Sequence, residues 1–163
     1  MTWFASVKAE IDALPNEAGW LDGDGEPVTD VARFVAAAWA YALAEQLPIL
    51  TMTIDPYGIG QAPMVYPSES GGVSLEWLLV VDGRHATRAW LTSLEVDADG
   101  SVTLYEDVGG RITTRYAPTF DQLGSVLVRM AAEARLAQWM QSGPLLPDTT
   151  ILANPLKGNP PSA

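Results

Sequence analysis

Cysteine is absent from the 163-residue chain, and His85 is its only histidine. Without cysteine the protein has no disulfide, no thiolate nucleophile and no zinc–thiolate site. A single histidine also excludes any metal cluster or proton relay that needs two imidazoles. We therefore expect a protein that works without a cofactor or a bound metal.

Positive charge is also scarce, because 9 Lys and Arg stand against 20 Asp and Glu and give a formal net charge of −11. Such a charge repels phosphate backbones, so general nucleic-acid binding is not expected. It is compatible with a basic protein partner or with DNA mimicry. It also fits a charge that simply keeps the protein soluble.

The most hydrophobic segment, residues 34–44, is too short to cross a membrane. Its eleven apolar residues would extend about 16 Å as a helix, whereas a bilayer needs about 20 residues. The first residues lack the basic start and apolar stretch of a signal peptide. We expect a cytoplasmic protein that does not bind membranes.

This apolar segment lies within a predicted helix over residues 31–47, which Thr29 or Asp30 caps and Pro48 ends. A helix that is apolar on all sides is buried in the fold or in an interface. The residues expected to be almost fully buried are Ala38, Trp39 and Ala42. A shorter amphipathic helix over residues 2–14 precedes it, and residues 49–54 are predicted to form a strand.

Alternating apolar residues predict an antiparallel meander of four strands between residues 73 and 116. Asp82-Gly83 predicts the first hairpin, and a turn over residues 97–100 joins the second strand to the third. In-phase alternation places Trp77 and Trp90 on one face, beneath the last helix. A further short strand is expected at residues 64–66.

A capping box, Thr119 and Gln122, begins an amphipathic C-terminal helix. Its predicted apolar stripe is Phe120, Leu123, Leu127, Met130, Ala134 and Ala137. The fold class is therefore α+β: an antiparallel meander of four to six strands with one face covered by helices, including the apolar helix. We expect one domain over residues 1–143 and a proline-rich arm, extended or partly disordered, over residues 144–163.

Strand parity defines a candidate binding face. If the apolar residues of the meander face the helices, the opposite face carries Ser74, Glu76, Ser93, Glu95, Ser101, Thr103, Tyr105, Arg111, Thr113 and Arg115. Ion pairs among the glutamates and arginines would make an ordinary solvated sheet face. The alternative is a recognition surface, with its candidate contacts at Glu76, Glu95, Tyr105, Arg111 and Arg115.

Two acidic turns form a second candidate surface, for a basic partner. They hold Asp22, Asp24 and Glu26 in the first turn and Asp97 and Asp99 in the second. The first turn resembles the start of a calcium loop, but Pro27 and Arg33 occupy the positions where an EF-hand needs Gly and a bidentate acid. Ordinary turn chemistry explains these acids more simply.

Three classes of function follow from these features. The leading hypothesis is a non-enzymatic interaction module: an acidic inhibitor, an antitoxin, an immunity-type protein or a chaperone-like adaptor. The alternative is a small ligand-binding domain or hydrolase, with a pocket between the sheet and the 55–70 loop and with Glu76, His85 or Glu95 as its reactive groups. The third is a virion or assembly component. We also expect self-association as a two-fold homodimer, because the apolar residues exceed what one sheet face can cover.

Overall fold

The computed structural model describes residues 3–46, 62–82 and 87–142 of the chain. Three helices are present, α1 (Phe4–Asp12), α2 (Asp30–Gln46) and α3 (Phe120–Ser142), together with five strands. The strands are β1 (Met64–Pro67), β2 (Val73–Asp82), β3 (Thr87–Val96), β4 (Val102–Val108) and β5 (Arg111–Tyr116). The predicted strand at 49–54, His85 and the arm at 144–163 lie outside the described residues.

All five strands form one antiparallel sheet in the order β1-β2-β3-β4-β5. This arrangement confirms the α+β meander and the short strand expected before it. The β4–β5 hairpin closes through Gly109 and Gly110, which both have positive φ angles of 61° and 89°. Two consecutive positive φ values are what a type I′ hairpin turn requires, and glycine adopts them without strain.

The core lies on one face of the sheet, which we call the covered face. Leu75, Leu94 and Leu104 pair across β2, β3 and β4 on this face, and each is at most 1% exposed. Buried residues of all three helices belong to the same core cluster, among them Ile11, Leu43, Leu123 and Met130. Burying one such side chain contributes about 1.5–3 kcal/mol.

Trp77 and Trp90 both belong to the covered face, as their alternation predicts, and are 5% and 9% exposed. Above them, Arg129 of α3 lies over the Trp90 ring at 5.8 Å. The Phe120 ring stacks on Trp39 of α2, with centroids 5.9 Å apart. The two tryptophans are therefore in the predicted register, while Phe120 joins α3 to α2.

Within the single chain, the buried side of α2 is not the predicted one; burial of the predicted residues in a subunit interface stays a prediction. Ala38 is exposed, Trp39 and Ala42 are only partly buried, and Phe34 is 75% exposed. The residues that pack into the core are Ala32, Ala36, Ala40 and Leu43. These positions follow the helical repeat, and three of them are alanines, so the helix can approach its neighbours closely. An unbroken apolar run hides this phase, because alanine is tolerated on either side of a helix.

Both predicted N-caps are present. The Ala32 amide donates to Thr29 Oγ1 at 3.1 Å at the start of α2. At the start of α3, the Gln122 amide donates to Thr119 Oγ1 at 3.3 Å, and the Thr119 amide donates to Gln122 Oε1 at 2.9 Å. This reciprocal pair satisfies two amides that the helix itself leaves without partners.

Arg33 of α2 binds the end of α1. Its guanidinium donates to the carbonyl oxygens of Ile11, Asp12, Leu14 and Pro15 at 2.5–3.2 Å, and to Asn16 Oδ1 at 2.6 Å. The last carbonyls of a helix lack intrahelical partners and carry its negative dipole end, so a cation there is favourable. One side chain of α2 therefore fixes where α1 ends.

Among the helices of the described residues, none combines the length and apolarity that a membrane-crossing segment needs.

Candidate functional site

The sheet face opposite the core, which we call the open face, retains substantial exposure across all five strands. Its β1 and β2 side chains are those of Met64, Tyr66, Ser74, Glu76, Leu78 and Val80. Its β3, β4 and β5 side chains are those of Ala89, Leu91, Ser93, Glu95, Thr103, Tyr105, Asp107, Ile112, Thr114 and Tyr116. The register arranges them in rows that run across the sheet, and the rows differ in chemistry.

One end of the open face is mainly apolar, although Asp107 lies between Leu91 and Ile112 in the same row. Leu78 pairs with Leu91, and Val80 pairs with Ala89 on the same face. Leu78 and Val80 are each 48% exposed, and Ile112 on the edge strand is 68% exposed. Large apolar side chains grouped on one exposed surface are typical of interaction sites rather than of monomer surfaces.

The other end is polar and carries two carboxylates. Glu76 and Glu95 lie in neighbouring rows of β2 and β3, and the Ser74 and Ser93 hydroxyls between them are 2.7 Å apart. Ser74 also donates to Glu76 Oε1 at 3.2 Å. The small serines are buried beneath their longer neighbours, so the carboxylates stand above a hydrogen-bonded hydroxyl pair.

These carboxylates affect each other. The pKa of Glu95 is raised from its ordinary value, first by partial burial and then by the negative charges of Asp97 and Glu76. The pKa of Tyr105 is also raised, by desolvation and then by Glu95, Tyr116 and Asp97. Repulsion of this kind means that the polar end concentrates negative charge.

The predicted grouping of Arg111 and Arg115 with these residues is wrong. Arg111 pairs with Val108 and Arg115 with Leu104, so both arginines belong to the covered face. Glu76, Glu95 and Tyr105 do share the open face, where Ile112 and Tyr116 take the places expected for the arginines. The Gly109-Gly110 dipeptide indicates the correct register of β5, because a two-residue hairpin turn sets Val108 directly opposite Arg111.

The two acidic turns meet at one end of the sheet, on either side of Gly71. A Cβ built on Gly71 would lie 3.5 Å from the Glu26 Cβ and 3.7 Å from the Ala98 Cβ. Asp22 and Gly23 form the tip of a tight turn, with reciprocal backbone hydrogen bonds between Leu21 and Asp24. In the second turn Asp99 Oδ1 accepts from the Ser101 amide at 2.8 Å. Hydrogen bonding by the Ser101 side chain, and then by its amide, lowers the pKa of Asp99.

A cleft of about 570 Å³ opens where the acidic end of the sheet meets α2. The residues that line it include Trp39, Tyr116, Asp97 and the buried Thr103. Thr103 and Tyr116 are also cross-strand partners on the open face, so the cleft continues that face around its edge. No local sequence pattern predicts the cleft, because Trp39 is more than fifty residues away along the chain from the other residues that line it.

Two other kinds of candidate site are a metal site and a hydrolase site. Within the described ranges, no group of three or more Asp, Glu or His side chains could hold a metal ion. His85 and residues 55–61 of the 55–70 loop lie outside those ranges. The reactive trio of the hydrolase hypothesis is therefore represented only by Glu76 and Glu95.

In comparisons with protein-family models, with curated proteins and with solved structures, nothing matches this chain.

Proposed function

We propose that this protein is a non-enzymatic binding module whose open face docks a basic protein partner. The observation that carries the proposal is that exposed apolar side chains (Leu78, Val80 and Ile112) and two carboxylates (Glu76 and Glu95) share one sheet face. None of the described lysine or arginine side chains lies on that face. A partner that presents apolar and cationic side chains together would complement both groups.

The apolar end would supply most of the affinity. Leu78, Val80 and Ile112 keep about half or more of their surface exposed, and removing apolar surface from water is favourable by about 25 cal/mol per Å². Tyr66 and Tyr116 frame the same face at 44% and 79% exposure. Tyrosine is enriched at protein interfaces because its ring packs and its hydroxyl binds polar groups.

The acidic end would supply orientation and association rate. Partial burial raises the pKa of Glu95, and the negative charges of Asp97 and Glu76 add to this effect, so Glu95 is repelled by both in the free protein. A bound cation would relieve that repulsion, so a basic partner gains more here than at isolated surface carboxylates. Steering by such charges weakens with added salt, because the Debye length is about 8 Å at physiological ionic strength.

The proposal is tested by affinity capture from cells of the source organism with three immobilised proteins. These are the wild type, the open-face variant Glu76→Lys/Glu95→Lys, and the control Glu10→Lys/Glu133→Lys. The control makes the same change in net charge at exposed positions of α1 and α3. We expect a partner that the wild type and the control retain and that the open-face variant loses.

The captured partner is then identified by mass spectrometry, purified and titrated calorimetrically against the same proteins. Ile112→Ser should weaken binding, while Leu136→Ser, a change at a half-exposed position of α3, should not. Equal losses for the open-face variant and the control would reduce the effect to net charge and contradict the proposal. Capture of the chain's own second copy, with a dimeric mass in light scattering, would replace the basic partner with a homodimer.

A further inference from the structure

The cleft beside the open face has the chemistry of a cation site. The residues that line it include the aromatic Trp39 and Tyr116 and the acidic Asp97. No residue in these walls carries a positive charge. Aromatic faces attract cations through their quadrupole, and a nearby carboxylate adds direct charge attraction.

The charges around the cleft favour the same kind of ligand. Asp97 acts on Glu95 and on Tyr105, so its negative field reaches the open face. Asp97 Oδ2 accepts from the Ser101 hydroxyl at 3.1 Å, which holds the carboxylate in place at the start of the turn. The nearest arginine in sequence, Arg115, belongs to the covered face and does not line the cleft.

The fold sets the ring position of Trp39 and the backbone position of Tyr116. Trp39 is fixed by its stack on Phe120, at 5.9 Å between centroids and 19° between ring planes. Tyr116 ends β5, and the next residue, Ala117, has a φ of +45° while its amide donates to Val102 O at 2.9 Å. A left-handed alanine costs about 1–2 kcal/mol, and such strain is kept where the surroundings impose it.

We propose that this cleft binds the guanidinium or ammonium group of an arginine or lysine side chain of the partner. This deepens the proposed function and rests on it, because the side chain belongs to the segment that docks on the open face. The cleft is open to solvent, and its volume of about 570 Å³ lies within the range of small-ligand sites. The cation would lie against the aromatic walls and pair with Asp97.

The site is tested directly with N-acetyl-arginine amide, followed by NMR of the backbone amides and the tryptophan indoles. N-acetyl-citrulline amide is the control ligand, because it has the same shape without the charge. We expect saturable shifts at the Trp39 indole, Gly100, Ser101 and Tyr116 with the arginine compound, weakening as salt is added. Citrulline should cause little change at the same positions.

Matched variants separate the site from general acidity. Asp97→Asn should weaken binding of the arginine compound about fivefold, while Asp99→Asn, with the same charge change in the same turn, should leave it within about twofold. Tyr116→Leu should weaken binding, whereas Tyr66→Leu, at the opposite edge of the open face, should not. Tyr116 is 79% exposed, so its replacement leaves the core intact.

Two results would overturn the inference: equal shifts with citrulline, or equal losses for Asp97→Asn and Asp99→Asn. Failure here is distinguishable from failure of the proposed function. If a basic partner still depends on Glu76, Glu95 and Ile112 but arginine never enters the cleft, the docking face stands and the cation site is wrong. If arginine binds the cleft but no partner depends on the open face, the proposed function is wrong.

Discussion

The same strands present apolar side chains on both faces of the sheet, yet only one face is covered. Leu94 on the covered face is fully buried, whereas Leu78 on the open face keeps 48% of its surface exposed. On the covered face, residues of three helices close over the leucines. The open face instead ends in paired serines, two carboxylates and two tyrosines. Apolar character alone therefore does not mark a core; the side to which the helices attach decides it.

The largest difference in stability is expected between substitutions on the buried side and on the exposed side of α2. Ala36→Asp should destabilise the protein by several kcal/mol, because it buries an unpaired carboxylate at a fully buried position. Ala38→Asp, two residues further along the same helix, should change stability by about 0.5 kcal/mol or less. Urea denaturation of both variants measures the difference. Similar losses for the two would mean that α2 is buried on all sides.

A smaller difference is expected between leucines on the two sheet faces. Leu94→Ala should cost about 2–5 kcal/mol, because it leaves a cavity in the packed core. Leu78→Ala should cost less than about 1 kcal/mol, because its side chain is already half exposed. Thermal unfolding checks the stabilities. A large loss for Leu78→Ala would show that the open face is covered in solution.

The smallest effects concern one carboxylate on each face. Glu106 on the covered face accepts from Arg129 Nη2 at 2.8 Å, so Glu106→Gln should cost about 1 kcal/mol. Glu95→Gln on the open face should instead stabilise the protein slightly at neutral pH. Its pKa is raised from 4.5 by burial, Asp97 and Glu76, so the folded state holds this proton more tightly than the unfolded state does.

The pH dependence of the two variants checks this assignment. In the wild type, stability attributable to Glu95 is greatest in acid and falls as pH rises through the raised pKa. Glu95→Gln removes that fall, so its advantage should appear at neutral pH and vanish below about pH 4. An advantage that persists unchanged into acid would assign the effect to packing instead of charge.

Much of the fold follows from the sequence because its signals are local. The alternation from Val73 onward predicts β2 and the face of both tryptophans, and the Thr119–Gln122 pair predicts the start of α3. The turn residues at Gly100 and at Gly109-Gly110 predict where strands end. Each of these signals depends on neighbours within a few positions, so no tertiary contact is needed to interpret them.

The parts that failed depend on long-range contacts or on ambiguous residues. Every residue of β5 is exposed or only partly buried, so the alternation of its residues does not indicate which side faces the core. For this reason the predicted face of the two arginines is wrong. In α2 the alanines conceal which side packs. The cleft requires Trp39 to meet the end of β5, which no local pattern encodes. The sequence therefore predicts that Glu76, Glu95 and Tyr105 share one face. It does not predict which β5 residues lie beside them or that Trp39 lines the cleft at the edge.

The guanidinium of Arg33 has a consequence for how the molecule opens. It joins two carbonyls at the end of α1 and two in the residues that follow to the first turn of α2, so α1 cannot detach without breaking several hydrogen bonds at once. The two helices should then behave as one cooperative unit in native-state hydrogen exchange, with α1 amides protected almost as long as those of α2. Arg33→Ala would weaken this link, so α1 amides should exchange earlier relative to those of α2, although Val7 and Ile11 still hold α1 in the core.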